Sequence, residues 1–142
     1  MLDVVHTGLT AQRLDAAAIC KDAHDPRCGA VAMFQGTVRD HSSGATVAAL
    51  EYTAHPSAAR ILRSIAEGLT LRQGVHRVDA WHRTGLLDVG DVVMVVAVAA
   101  EHRSQAFAAA EALVDEVKAR LPVWKKQIMA DGSHRWSGLE SA

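Results

Sequence analysis

The sequence predicts an α+β domain in which a mainly antiparallel sheet is covered by helices. Three observations lead there. Apolar segments that alternate or run continuously occur in pairs around short polar turns, as antiparallel strands do. Between them lie segments whose apolar residues recur every three or four positions, the spacing of helices that bury one face. No repeat, linker or low-complexity tract divides the chain, so residues 1–142 read as one domain of ordinary size.

The first helical segment is TAQRLDAAAICKDAH, residues 10–24. Thr10 is placed to cap it, Leu14, Ala17, Ala18 and Lys21 give a modest amphipathic pattern, and Asp25-Pro26 ends it. GAVAMFQGTVRD (29–40) and VAALEYTAH (47–55) are expected as an antiparallel pair joined by a mobile polar loop, HSSGAT. Pro56 suits the first turn of a second helix, SAARILRSIAEGL, with Ala58, Ile61, Leu62, Ile65 and Leu69 on one face. HRVDAWHRTG (76–85) and DVVMVVAVAA (91–100) form another expected strand pair around LLDVG. The second of these is almost wholly apolar, which places it at the sheet centre. A third helix follows Ser104 and is expected to bury Ala106, Phe107, Ala110, Leu113, Val114, Val117 and Leu121.

Composition narrows the function. With 49% hydrophobic residues the chain can bury a real core, which excludes a disordered tail or a disulfide-stapled miniprotein. A formal net charge of -1 and 4% aromatic residues argue against nucleic acid as a partner. MLDVVHTGL lacks the basic and long apolar regions of a signal peptide, and no stretch approaches the ~20 apolar residues that span a bilayer. A cytoplasmic protein without membrane contact is expected. Cys20 and Cys28 are expected as free thiols; with His24 they tempt a zinc reading, but no clear fourth ligand accompanies them, and no metal is expected.

The remaining signal is cationic. Of the four His-Arg pairs, His76-Arg77, His82-Arg83 and His134-Arg135 are expected at the surface, at strand ends. His102-Arg103 precedes the third helix, where unpaired N–H groups and the positive dipole end already favour an anion. Arg39 ends FQGTVR, just after Gly36, which marks a bulge or a close approach. In LPVWKKQIMADG (121–132), Pro122 stops the helix and Trp124 is expected to anchor the turn by burial, fixing Lys125 near Lys118, with Lys126 adjoining. Crowded cations lower one another's pKa, which makes a neutral amine easier to reach. Composition and spacing stop at a cationic pocket for an anionic small molecule.

FQGTVRD, LEYTAHP, WHRTGLLDVGD, AEHRSQAF and VKARLPVWKKQ followed by DGSHRW, in this order and spacing, resemble the large, catalytic subunit family of molybdopterin synthase. The likeness runs from about Gly29 to Trp136. It implies an α/β hammerhead fold and a sulfurtransferase of molybdenum-cofactor biosynthesis that needs no metal or organic cofactor. The implied partner is a small ubiquitin-like sulfur carrier whose C-terminal Gly-Gly tail ends in a thiocarboxylate. The implied substrate is cyclic pyranopterin monophosphate, which receives two sulfurs to become the dithiolene of molybdopterin. The implied assembly is a homodimer at the centre of a heterotetramer.

Carried over by motif, substrate binding falls on Arg39, His102 and Arg103, with Lys126 beside them, and catalysis on Lys118 and Lys125. Proton transfer is expected of Lys118, but the sequence does not divide the tasks between the two lysines. Gln127 departs from the acidic residue, and Thr37 from the basic one, that many relatives carry. The rival expectation is a non-catalytic α+β module that binds a phosphorylated metabolite in the same pocket.

Overall fold

The computed structural model describes residues 4–138. In chain order the elements are β1 (Val5–Thr10), α1 (Ala16–Asp22), β2 (Ala30–Thr37), β3 (His41–Ser42), β4 (Ala45–Ala54) and α2 (Ala58–Leu69). There follow β5 (Val75–Arg83), β6 (Gly85–Asp88), β7 (Val92–Ala100), α3 (Arg103–Arg120), β8 (Val123–Met129) and β9 (His134–Ser137).

Two sheets share the strands. The first has the order β1-β5-β7-β2, antiparallel except for the parallel pair of β1 and β5. The second runs β3-β4-β8-β9, with β6 also paired to β4. β7 is flanked by β5 and β2, the central place its continuous apolar run predicts. Its Met94, Val96, Val98 and Ala100 point to one face, where they pack with Leu62 and Ile65 of α2 and Leu113 and Val117 of α3. Leu62 and Ile65 are fully buried, worth about 2 kcal/mol each in transfer free energy. A smaller core of Val38, Val47, Leu50, Leu87, Val93 and Met129 ties the second sheet to the start of β7.

Several expectations change. Thr10 closes a strand instead of capping a helix; Asp15 caps the shorter α1 by accepting from the Ala18 N–H at 3.0 Å. β1 carries the alternation of a strand, but its partner β5 lies some seventy residues away, so no local turn announces it. β2 and β4 do not pair with each other; they belong to different sheets. The segment between them is ordered as β3 and a two-residue turn, Ser43-Gly44, with φ of 49° and 78°. Both values lie in the left-handed region that a tight hairpin turn requires. α3 begins at Arg103, and Gln105 Oε1 accepts from the His102 backbone N–H at 3.1 Å, so Ser104 sits inside the first turn. Phe107 is 67% exposed, one step around the helix from buried Ala106.

Candidate active site

A cavity of about 740 Å³ opens where the two sheets meet the C-terminal end of α3. Strand alternation decides what lines it. On β4 and β8, Tyr52 pairs with Lys125 and Leu50 with Gln127, and directly opposed residues share a face. All four line the cavity. Glu51 and Lys126, the intervening pair, therefore face away. The Lys126 ammonium lies 3.2 Å from a Glu51 carboxylate oxygen and 5.5 Å from the centroid of the Trp136 ring. Of the adjacent lysines, one enters the cavity and the other is paired on the opposite side of the sheet. Trp124, 40% exposed, is not the anchor expected of it; strand pairing to Tyr52 holds Lys125 instead.

Lys118 reaches the cavity from the last turn of α3, and Arg39 from the segment after β2. Arg39 is placed by its neighbour. The Val38 N–H donates to the Asp91 carbonyl at 3.0 Å, and the Val38 carbonyl accepts from the Gly90 N–H at 2.9 Å. The same turn is fastened from behind: the Asp91 carboxylate accepts from the Asp88 N–H at 2.9 Å and lies 3.7 Å from the Arg83 guanidinium. Arg83 in turn donates to the Ala11 carbonyl at 3.0 Å. The ladder of β2 and β7 shifts register between Gly36 and Thr37, the irregularity that Gly36 signals in the sequence. Thr37 and Gln127, the two departures from the common pattern, both line the cavity.

The electrostatics are one-sided. Arg39, Lys118 and Lys125 line the cavity, and no aspartate or glutamate does so among the described residues. Burial lowers the pKa of Lys125 below its ordinary value, and the positive charges of Lys118 and Arg39 lower it further. The surroundings of Lys125 thus favour its neutral amine. An anion in the cavity would relieve this repulsion.

His102 and Arg103 lie elsewhere. They line a shallower recess with Gly29, Glu101 and Ser104 at the N-terminal end of α3. Lys118 is fifteen residues further along the same helix, roughly 22 Å at 1.5 Å per residue. One chain therefore cannot bring both ends to one small substrate.

One of the three His-Arg pairs expected at the surface is not there. His82 and Arg83 are buried, and His82 lines the cavity. Their signal was available in the inward row Val78, Ala80, His82, which continues the apolar alternation of β5. Among the described residues no group of three or more His, Cys, Asp or Glu side chains is arranged to hold a metal ion, and Cys20 and Cys28 are free thiols. Nor is any described helix long and apolar enough to cross a membrane.

Known proteins resemble this chain in sequence and in fold. The family model described as MoaE protein matches residues 9–120. The molybdopterin synthase catalytic subunit of Rattus norvegicus is 34% identical over 128 residues, covering 89% of this chain and 64% of that protein. The protein of the same name from a Nostoc species is 40% identical over 119 residues, covering 82% of this chain and 72% of its own length. The crystal structure of molybdopterin synthase from Staphylococcus aureus superposes with a TM-score of 0.84 at 29% identity, covering 92% of this chain and 95% of that one. A Helicobacter pylori complex of subunits 1 and 2 of molybdopterin-converting factor shares the fold, with a TM-score of 0.73 at 18% identity. With a family model spanning most of its length and relatives above 30% identity, the chain belongs to the MoaE family, whose curated relatives are named molybdopterin synthase catalytic subunits.

Proposed function

We propose that this chain is the catalytic subunit of a molybdopterin synthase, transferring sulfur from the thiocarboxylate of a small carrier protein to cyclic pyranopterin monophosphate. The observation that carries the reading is the cavity of Arg39, Lys118 and Lys125, lined by no acidic side chain among the described residues, in a chain of this family. A phosphate-bearing substrate and a thiocarboxylate are both anions, and such a cavity draws both to one place.

The chemistry follows from valence. The carrier's sulfur attacks an oxygen-bearing side-chain carbon of the substrate. A C–S bond forms as a C–O bond of that carbon breaks, the oxygen leaving as water or with the phosphate, and a thioester to the carrier's acyl carbon remains. Water then cleaves that acyl C–S bond, returning the carrier as a carboxylate and leaving sulfur on the substrate. A second carrier repeats the step to complete the dithiolene. Arg39 holds the phosphate, Lys118 offsets the negative charge that develops in each attack, and Lys125, with its lowered pKa, moves the proton.

His102 and Arg103 join the same substrate only through a second copy of the chain, which a homodimer within a heterotetramer would provide. The carrier's Gly-Gly end suits this access, because an extended tail without side chains fits a narrow approach. Reconstitution tests the reading. The chain, a thiocarboxylated carrier and cyclic pyranopterin monophosphate should together yield the dithiolene. Substrate binding without product, with a carrier shown to be competent on another synthase, would leave only a metabolite-binding module.

A further inference from the structure

His82 is 6% exposed at the end of β5, yet it lines the cavity. Its Nδ1 lies 2.6 Å from the Arg83 carbonyl oxygen. A carbonyl only accepts, so Nδ1 carries the proton and, in the neutral ring, Nε2 presents a lone pair. Burial lowers the imidazole pKa below its ordinary 6.5, against the opposing pull of that carbonyl, so the ring is neutral near pH 7. Nε2 makes no hydrogen bond among the described residues. Tyr52 meets the ring edge-on, with centroids 4.9 Å apart and planes at 79°, which fixes its orientation. With His82 the buried part of the lining is apolar, Leu50, Val93 and Met94, whereas Arg39 and Lys118 are exposed and Lys125 is part-buried between them.

This division matches a ligand with an anionic end and a flat, neutral end that bears N–H donors. We propose that His82 is a substrate-recognition residue: its Nε2 accepts a hydrogen bond from an N–H of the pterin ring system while the phosphate stays with the exposed cations. The inference rests on the sulfur-transfer reading above and adds the direction in which the substrate enters. A backbone N–H of the carrier tail is the competing donor.

Two variants separate recognition from scaffolding. His82→Asn keeps a donor near the Nδ1 position, for the Arg83 carbonyl, but removes the buried acceptor. His82→Gln places an amide oxygen near the Nε2 position and gives up the Nδ1 donor. Binding is measured without oxygen for cyclic pyranopterin monophosphate, for inorganic phosphate and for the carrier. His82→Asn should weaken pterin binding by about tenfold or more, the scale of one lost buried hydrogen bond, leave phosphate and carrier unchanged, and be largely restored in His82→Gln. A normal His82→Asn with a defective His82→Gln would mark a purely structural role and overturn the proposal. So would a loss of carrier affinity alone.

The wild-type protein gives a second reading that depends on no variant. The ¹⁵N resonance of His82 Nε2 should be that of an unprotonated nitrogen, and should move on adding the pterin but not phosphate. An unmoved resonance at saturating pterin contradicts the proposal. Failure of wild type to bind the pterin at all removes the functional reading and this inference with it.

Discussion

Replacing each of the two adjacent lysines by alanine gives opposite results if strand alternation assigns them correctly. Lys126 faces out of the cavity, 3.2 Å from Glu51 and 5.5 Å from the Trp136 centroid. Its side chain is 21% exposed and that of Glu51 is 40% exposed, so the ion pair is discounted to about 0.5 kcal/mol. The contact with the indole adds about 0.5–1 kcal/mol. Lys126→Ala should therefore cost about 1–1.5 kcal/mol and lower Tm by roughly 3–5 °C for a chain of this size. Turnover should hold within about threefold, because nothing in the cavity is lost. Lys125→Ala should do the reverse. Turnover falls by about 100-fold or more, the scale of a lost acid–base group, while Tm holds or rises because a half-buried, repelled cation has gone. The assays are thermal unfolding and sulfur transfer with saturating carrier and substrate. A Lys126→Ala protein with normal Tm and a turnover as low as that of Lys125→Ala would refute the assignment.

Other outcomes follow from the same geometry. Lys118, exposed and acting through charge, should tolerate Lys118→Arg and not Lys118→Ala, whereas Lys125→Arg should be about as inactive as Lys125→Ala, since arginine keeps its proton; equal loss in Lys118→Arg and Lys118→Ala would return the proton-transfer role to Lys118. Asp91→Ala frees the turn that grips Val38, so it should raise KM for the pterin severalfold with a smaller change in kcat; unchanged KM would show that Arg39 is placed without it. The lowered pKa of Lys125 also makes a pH prediction. Between that lowered value and the ordinary 10.5 the unfolded chain binds more protons, so this lysine's contribution makes stability rise with pH. The unfolding free energy of wild type minus that of Lys125→Met should climb across that window, and a difference that falls with pH contradicts the shift.

Much of this was legible in the residues, for physical reasons. The continuous apolar run of β7 can be satisfied only in a sheet interior, and α2 repeats its apolar residues at helical spacing. What escaped was set at long range or obscured by the site. β8 reads poorly as a strand because Lys125 and Gln127 occupy the inward positions where a packed strand would carry apolar residues. The cavity thus erases the alternation that would reveal its own wall. The split of Lys125 from Lys126 depends on that strand, so it was hidden too. His82 was set aside as a surface residue because a His-Arg pair beside a turn resembles one; only the row Val78, Ala80, His82 places it inward. The distance between His102 and Lys118 was open to reading, since both flank or occupy one helix of eighteen residues.

The most direct measurement is the mass of the carrier after a single turnover. Hydrolysis of the thioester exchanges the carrier's terminal sulfur for oxygen, and mass spectrometry resolves that difference on the intact protein. With wild-type chain, the carrier should lose its sulfur only when cyclic pyranopterin monophosphate is present, and sulfur should be recovered on the pterin. With Lys125→Ala the carrier should keep it under the same conditions. Sulfur loss that is indifferent to the pterin, or equally fast with Lys125→Ala, would contradict sulfur transfer in the cavity of Arg39, Lys118 and Lys125.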